Sequence, residues 1–248
     1  MEHMNLIDVK ICPICGLDES KVFLNSKDYS TSKEAFSIRE CGSCSFRFTS
    51  PIPTEDKIGE YYQSEEYISH TDSSAGLMNK VYRLVRKLAI KKKEHLARNG
   101  VLEKSLLDIG CGTGDFLSFC KTNGWNVLGL EPDNGARAIC KEKQVETHHI
   151  DHLHHLPESS FSVVTMWHVL EHVYHLNRDF NQIRKILKPE GKLIIAVPNC
   201  SSHDAQKYGK FWAAYDLPIY LYHFRPGDMR RFAEKHDFSV DQILPMKY

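Results

Sequence analysis

The chain has 248 residues, 42% hydrophobic and 26% charged, with 32 basic and 32 acidic side chains and a formal net charge of zero. These proportions are ordinary for a globular protein. The balanced charge argues against the broad basic surface of a protein that draws its affinity from a phosphate backbone, so nucleic acid is not the expected partner. No apolar run approaches the roughly 20 residues that span a bilayer, and residues 1–10 lack a charged start followed by an apolar core. No membrane partner is expected, and a cytoplasmic location follows. The length allows one large domain and one small one.

Residues 1–50 carry paired cysteines, short β-like runs and polar turns. Cys12-Pro13-Ile14-Cys15 and Cys41-Gly42-Ser43-Cys44 are two C-x-x-C knuckles separated by a β-like stretch. Tetrahedral zinc takes four thiolates from two such pairs, and Gly16 and Gly42 suit the tight turns around a metal. A thioredoxin-like redox reading is poor because no helix or βαβ unit follows either pair. Such a zinc has no open coordination position. It would hold together a zinc-ribbon-like module too small for its own core, one that shapes a substrate entrance or a partner surface. The other cysteines, Cys111, Cys120, Cys140 and Cys200, are scattered through apolar segments and read as small buried hydrophobes.

Residues 51–100 read as a linker and an N-terminal helix covering the active site. They open with Pro51-Ile52-Pro53 and continue through Tyr61, Tyr62 and Tyr67. A basic amphipathic helix is predicted over 79–98, with Val81, Leu84, Val85, Leu88 and Leu96 at helical spacing and Asn99-Gly100 as its stop. From residue 101 to 248, short apolar runs alternate with helical patterns. Strands are predicted at 105–109, 125–130, 145–150, 161–167 and 192–197, with helices at 114–123, 134–143 and 176–187. A helix at 226–236 and a last strand at 238–244 complete the chain. This alternation implies an α/β domain with a parallel sheet and helices on both faces.

The most informative segment is Leu106-Leu107-Asp108-Ile109-Gly110-Cys111-Gly112-Thr113-Gly114-Asp115. An apolar strand runs into three glycines, and a helix starts at once. Glycine lets the backbone approach a ligand and take φ > 0, and the first N–H groups of the helix face a polar or anionic ligand group. A dinucleotide fold wants G-x-G-x-x-G, with its last glycine where this chain has Asp115. Glu131, in Gly129-Leu130-Glu131-Pro132-Asp133, ends the second strand about 20 residues on, where an acid accepts hydrogen bonds from both ribose hydroxyls.

These residues resemble class I S-adenosylmethionine-dependent methyltransferases over about residues 101–244. Val169-Leu170-Glu171-His172 resembles the family's Leu-Glu-His signature after strand four. Leu187-Lys188-Pro189-Glu190-Gly191 and the run Leu193 to Pro198 resemble its turn into strand five. The resemblance implies a Rossmann-like doubly wound, mostly parallel sheet and S-adenosylmethionine as cofactor. It also implies roles. Gly110, Cys111, Gly112 and Gly114 would line the methionine part, and Asp108 would bind near the amino group. Glu131 would hold the ribose, with Pro132 and Asp133 beside the adenine. Asp151 and His152 would contact the adenine edge, and Trp167 and His168 would close the site.

Fourteen histidines is a high count. His148, His149, His152, His154 and His155 fall in one short segment that reads as a solvated loop, with a metal site as the alternative. His168, Glu171 and His172 share one face of a helical turn. Some ubiquinone-pathway O-methyltransferases resemble this segment and carry Glu-x-x-Glu-His there, binding a divalent ion; here His168 replaces the first acid. Residues 201–224 are rich in aromatics, with Trp212, Tyr215, Tyr220 and Tyr222 beside His223. In related methyltransferases this insertion covers the acceptor pocket. His172, His223 and His168 are the catalytic candidates, since histidine titrates near neutral pH and can act as general base.

The expected reaction is in-line attack by an acceptor atom on the cofactor methyl, with alignment and exclusion of water as the protein's main contributions. The favoured acceptor is a small molecule, a sugar or nucleotide-sugar first, because zinc-headed sugar methyltransferases resemble this layout. The alternatives are an RNA methyltransferase that uses the zinc module for recognition, and a non-catalytic scaffold. The family's sheet ends with an antiparallel strand seven beside strand five, whereas this sequence stops at Tyr248, soon after strand six. Strand seven is therefore expected to be absent, through a shortened end or an open sheet edge. An open edge would invite a homodimer.

Overall fold

The computed structural model describes residues 6–62 and 77–246, with side chains described from 85 onward in the first helix. Tyr67 and the side chains of Val81 and Leu84, singled out above, lie outside the described residues. The described residues group into two compact units: one of 6–62, 170–176 and 197–246, the other of 77–169 and 177–196.

The first unit opens with β1 (Leu6–Ile7), β2 (Ser20–Lys27), β3 (Ala35–Cys41), β4 (Arg47–Thr49) and β5 (Ile52–Pro53). β1 pairs antiparallel with β5. β3 buries Phe36 and Ile38 at alternate positions, the period-two pattern of a sheet with one face packed, and ends on buried Cys41.

The second unit starts with α1 (Leu77–Arg98), followed by β6 (Ser105–Ile109), α2 (Asp115–Thr122), β7 (Asn126–Leu130), α3 (Asn134–Glu142) and β8 (Thr147–His148). β9 (Phe161–Trp167), α4 (Leu176–Ile186) and β10 (Leu187–Ala196) follow. The sheet order is β10-β9-β6-β7-β8, and every pairing is parallel. The chain order reverses at β6, and in such sheets ligands bind at the carboxyl ends of the strands around this switch point. All five residues of β6 are buried, as expected of a central strand covered on both faces.

Three elements of this unit depart from the sequence reading. β8 is shorter than predicted, because Ile150–His155 turns into a 3₁₀ helix. β10 begins at Leu187, but residues 188–191 bulge out of its ladder with β9. In α1, Val85 and Leu88 are 54% and 56% exposed, not buried. The packed stripe is instead Ile90, Lys93, Glu94 and Ala97, held by a hydrogen bond from Trp125 Nε1 to Glu94 Oε1 at 3.2 Å.

The last segment returns to the first unit. α5 (His203–Tyr208), β11 (Tyr222–His223) and α6 (Pro226–Lys235) close the chain. β11 completes a four-stranded sheet in the order β11-β4-β3-β2. Phe46 and Phe48 of the cysteine region are fully buried, as are Phe224 and Phe232, and the Phe46 and Phe224 rings lie 5.3 Å apart. The cysteine-bearing residues thus share a core with residues from the far end of the chain. The strand expected at 238–244 is absent: the segment has no ladder and exposes Ile243 and Leu244. It belongs to the unit without the parallel sheet, apart from the strands that the expected strand would extend. Among the described residues β10 pairs on one side only, with β9.

Phe180 is 1% exposed on α4. Phe180→Ala is expected to cost about 3–5 kcal/mol. Leu88→Ala should stay within about 0.5 kcal/mol. Urea denaturation of the two variants checks both, and a large loss at Leu88 would contradict the packing of α1.

Candidate cofactor-binding and metal sites

The turn after β6 is built by three glycines with φ of +69° at Gly110, +54° at Gly112 and +74° at Gly114. A Cβ at Gly110 would collide with the Val169 side chain, whereas one on Gly112 would meet nothing within 4 Å. The turn is therefore packed against protein at one glycine and open to a ligand at the next. Gly110 N and Cys111 N both donate to Leu130 O, at 2.7 and 3.1 Å, so the end of β7 holds the turn. The thiols of Cys111 and Cys140 lie beneath it, both buried and both directed at Gly112 O.

Glu131 follows β7 and is 8% exposed. Its Oε2 accepts from Gly112 N at 2.8 Å and its Oε1 from Asp133 N at 3.0 Å. These bonds clamp the carboxylate across the glycine turn, and each oxygen keeps a lone pair for a ligand hydroxyl. Asp133 caps α3 by accepting from Ala136 N at 2.6 Å, and Pro132 O accepts from Arg137 at 2.7 Å. Asp115, where a dinucleotide fold would have glycine, pairs with Lys143 at 2.6 Å and with Arg86. A carboxylate there would repel a pyrophosphate.

Asp108 is 2% exposed and accepts from Thr165 Oγ1 at 2.6 Å. Burial pushes its carboxyl up to about 7, against the opposing effects of Thr165 and the Lys93 cation. Lys93 Nζ lies 4.5 Å from the centre of the Trp167 ring, and burial holds its pKa below the ordinary lysine value. Trp167 packs edge-on to Phe116 at 5.8 Å. His168 follows with φ +60°, a left-handed backbone that non-glycine residues seldom adopt. The His152 ring stacks on His148 at 4.3 Å, while the Asp151 side chain is 84% exposed and pairs with His149 at 2.9 Å.

The first unit holds the other two histidine candidates. His172 Nδ1 donates to Ile219 O at 2.8 Å. Its ring lies 4.6 Å from that of Tyr220, and Tyr62 Oη is 3.3 Å from Nδ1. His223 is 3% exposed. Thr49 Oγ1 donates to Tyr220 O at 2.6 Å, so His223 Nε2 must donate to Thr49 Oγ1 at 3.1 Å. Burial, and then the Arg47 charge, push the His223 imidazole down to about 3. The His223 ring is buried edge-on to Tyr215, with the ring centres 5.1 Å apart.

The four knuckle cysteines converge. The Sγ atoms of Cys12, Cys15, Cys41 and Cys44 all lie within 4.8 Å of one another, with the Cys12–Cys44 and Cys15–Cys41 pairs at 3.5 Å. A zinc ion with ~2.3 Å bonds to four tetrahedral sulfurs needs S···S separations of about 3.8 Å, so the donor set fits. Three cations of the α6 region donate to carbonyls of the knuckles: Arg225 to Ser45 O at 2.5 Å, Arg231 to Cys44 O at 2.9 Å and Lys235 to Pro13 O at 3.1 Å. Arg225 and Arg231 are themselves anchored by buried Asp228, at 2.8 and 2.5 Å.

Residues 66–243 match the model of a methyltransferase-domain family, well over half of the chain. The chain belongs to the class I S-adenosylmethionine-dependent methyltransferases. A ubiquinone biosynthesis O-methyltransferase of Rickettsia bellii is 22% identical over 202 residues, 74% of this chain and 82% of its own length. An uncharacterized protein of Methanocaldococcus jannaschii is 36% identical over 99 residues, 39% of this chain, and the match spans only 42% of that relative. A methyltransferase structure from Archaeoglobus fulgidus superimposes with a TM-score of 0.52 at 22% identity, over 61% of this chain and 68% of that one. A methyltransferase from Thermotoga maritima gives a TM-score of 0.52 at 22% identity, over 66% and 78% of the two chains. These structures support the fold. None of the described helices is long and apolar enough to cross a membrane.

Lys93, Thr165 and Val169 were missed from sequence. Lys93 could have been found as a cation inside the stripe Ile90, Lys93, Ala97, had the helix face been phased on Ala97 and not on Leu88. Thr165 is visible only through the register that sets it opposite Asp108.

With the Asp108 pKa raised to about 7 from 3.8, the folded protein without cofactor binds a proton that the unfolded chain has lost. Stability is then lost as pH rises from about 4 to 7. Asp108→Asn should remove this fall, gaining on the wild type by about 2–4 kcal/mol across that window. Urea midpoints at pH 4.5 and 7.5 measure the difference, and parallel changes in the two proteins would contradict the buried assignment.

Proposed function

We propose that this methyltransferase transfers a methyl group to a hydroxyl of a small-molecule acceptor. The observation that carries the reading is the match to ubiquinone biosynthesis O-methyltransferases over most of their length, joined to the Gly110–Gly114 turn clasped by Glu131. Sugars and nucleotide-sugars lie within this class, next to phenols. The formal net charge of zero supports a small acceptor over RNA.

S-Adenosylmethionine, when bound, supplies an electrophilic methyl on a sulfonium leaving group. The protein's own residues bind and orient. Gly110, Gly112 and Gly114 give the backbone its close approach, and the Glu131 carboxylate takes the ribose hydroxyls. Asp108 receives the amino group, and Pro132, Asp133, Asp151 and His152 border the adenine. A hydroxyl acceptor must lose a proton, and we assign this task to His172, whose ring is oriented by its Nδ1–H bond to Ile219 O. His168, on the strained turn after β9, lines the acceptor side. Zinc in the four-cysteine cluster is structural, because four thiolates leave no open position.

Titration calorimetry with S-adenosylhomocysteine tests the cofactor assignment. Micromolar binding is expected for the wild type and a loss of at least tenfold for Glu131→Ala. Unchanged affinity in the variant would remove Glu131 from the site. His172→Gln should keep S-adenosylhomocysteine affinity and lower turnover of hydroxyl acceptors by about 10²-fold. Metal analysis should find one zinc per chain, with chelation melting the first unit while α1 to β10 stays folded by circular dichroism. Full folding in the metal-free protein would overturn the structural role.

A further inference from the structure

We infer that the outward face of α1 docks on an anionic lipid surface. Eight of the 32 cations of the chain and one of its 32 acids fall in this one helix of 22 residues, so the rest of the chain carries a net charge of −7. The formal net charge of zero conceals this asymmetry. α1 buries Glu94 and Ala97, with Ile90 and Lys93 half-buried beside them. Its opposite face exposes Val85 and Leu88, one turn apart, and Lys92 one turn further on. Lys87 and Lys91 flank this stripe and are exposed as well. Arg86 is paired with Asp115, and Arg98 with Glu94. Lys87, Lys91 and Lys92 have no acidic partner among the described residues.

Exposed aliphatic side chains between unpaired ammonium groups are both satisfied at a bilayer surface. The apolar atoms enter the acyl boundary, and the lysine stems let their charges reach the headgroups. A basic helix with an apolar stripe is the pattern of a helix lying in the membrane plane. Nucleic acid would use the cations and leave Val85 and Leu88 in water. A shallow cleft between α1 and α2 is lined by Arg86, Lys87, Lys143, Ser118 and Thr122, and by Asp115, which is already paired with Arg86 and Lys143. Its cations and hydroxyls suit a lipid phosphate. The length needed for a span, which led to the expectation of no membrane partner, does not apply to a helix lying on the surface. The inference stands independently of the cofactor and acceptor readings.

Vesicle flotation with the full chain tests the surface. The protein is expected to bind phosphatidylcholine vesicles containing about 30% phosphatidylglycerol, and to bind pure phosphatidylcholine at least tenfold more weakly. Raising salt to about 0.5 M should weaken binding to the mixed vesicles by a similar factor. Lys87→Gln, Lys91→Gln and Lys92→Gln together should cost about 10²-fold, and Val85→Ser with Leu88→Ser severalfold. Lys185→Gln, at an exposed lysine of α4, should change nothing. Circular dichroism checks that the variants fold, and if the triple variant melts early the salt series and the serine pair carry the test. No binding to the mixed vesicles, undiminished binding by the serine pair, or an equal loss in Lys185→Gln overturns the inference. So does capture of a single-stranded RNA in place of vesicles, lost in the triple variant, which would assign the cations to nucleic acid. A dimer in light scattering that Leu88→Ser dissociates, with no vesicle binding, would assign the face to a second copy and overturn it equally.

Discussion

The parallel sheet has one structural requirement on which its chemistry depends: the backbone must leave β6, turn within five residues and enter α2 while keeping an open face. Two hydrogen bonds to Leu130 O and one from Gly112 N to Glu131 hold that turn. Because the Glu131 carboxylate accepts from both Gly112 N and Asp133 N, the turn itself orients it. Asp115 and its two cationic partners fasten the next position, so the start of α2 is tied to α1 through Arg86 and to the residue after α3 through Lys143.

The other unit follows a different logic. Its N-terminal strands cannot bury enough apolar surface alone. They are completed by Phe224, Phe232 and β11 from the end of the chain, and by a cluster of four thiols able to hold zinc. The α6 region links the two solutions. Its apolar side adds Phe232 to the core, while Arg225, Arg231 and Lys235 bond the knuckle carbonyls. A zinc tetrathiolate carries net negative charge, and three cations beside it favour the thiolate form. Asp228, fully buried, keeps two of those cations in place.

The histidines show how burial separates residues of one type. His223 sits in the aromatic core with its proton donated to Thr49. His172 has its tautomer set by a backbone carbonyl. His168 bends the chain as it leaves β9. From sequence all three carry the same imidazole, two of them in or beside the Leu170-Glu171-His172 run. Only their surroundings distinguish them.

What the residues determined by themselves was local and repetitive. Strand β6, the three glycines, Glu131 at the end of β7, and the two C-x-x-C pairs are contiguous motifs whose chemistry depends on spacing along the chain. They were legible because neighbouring residues impose them. The tertiary structure alone decided which face of α1 is buried, and so brought Lys93 to Trp167 and Asp108. It also paired Thr165 with Asp108, sealed His223, and left 238–244 without a ladder. Each of these depends on contacts between segments distant in sequence, where helix phase, strand register and burial are settled by packing and not by local propensity.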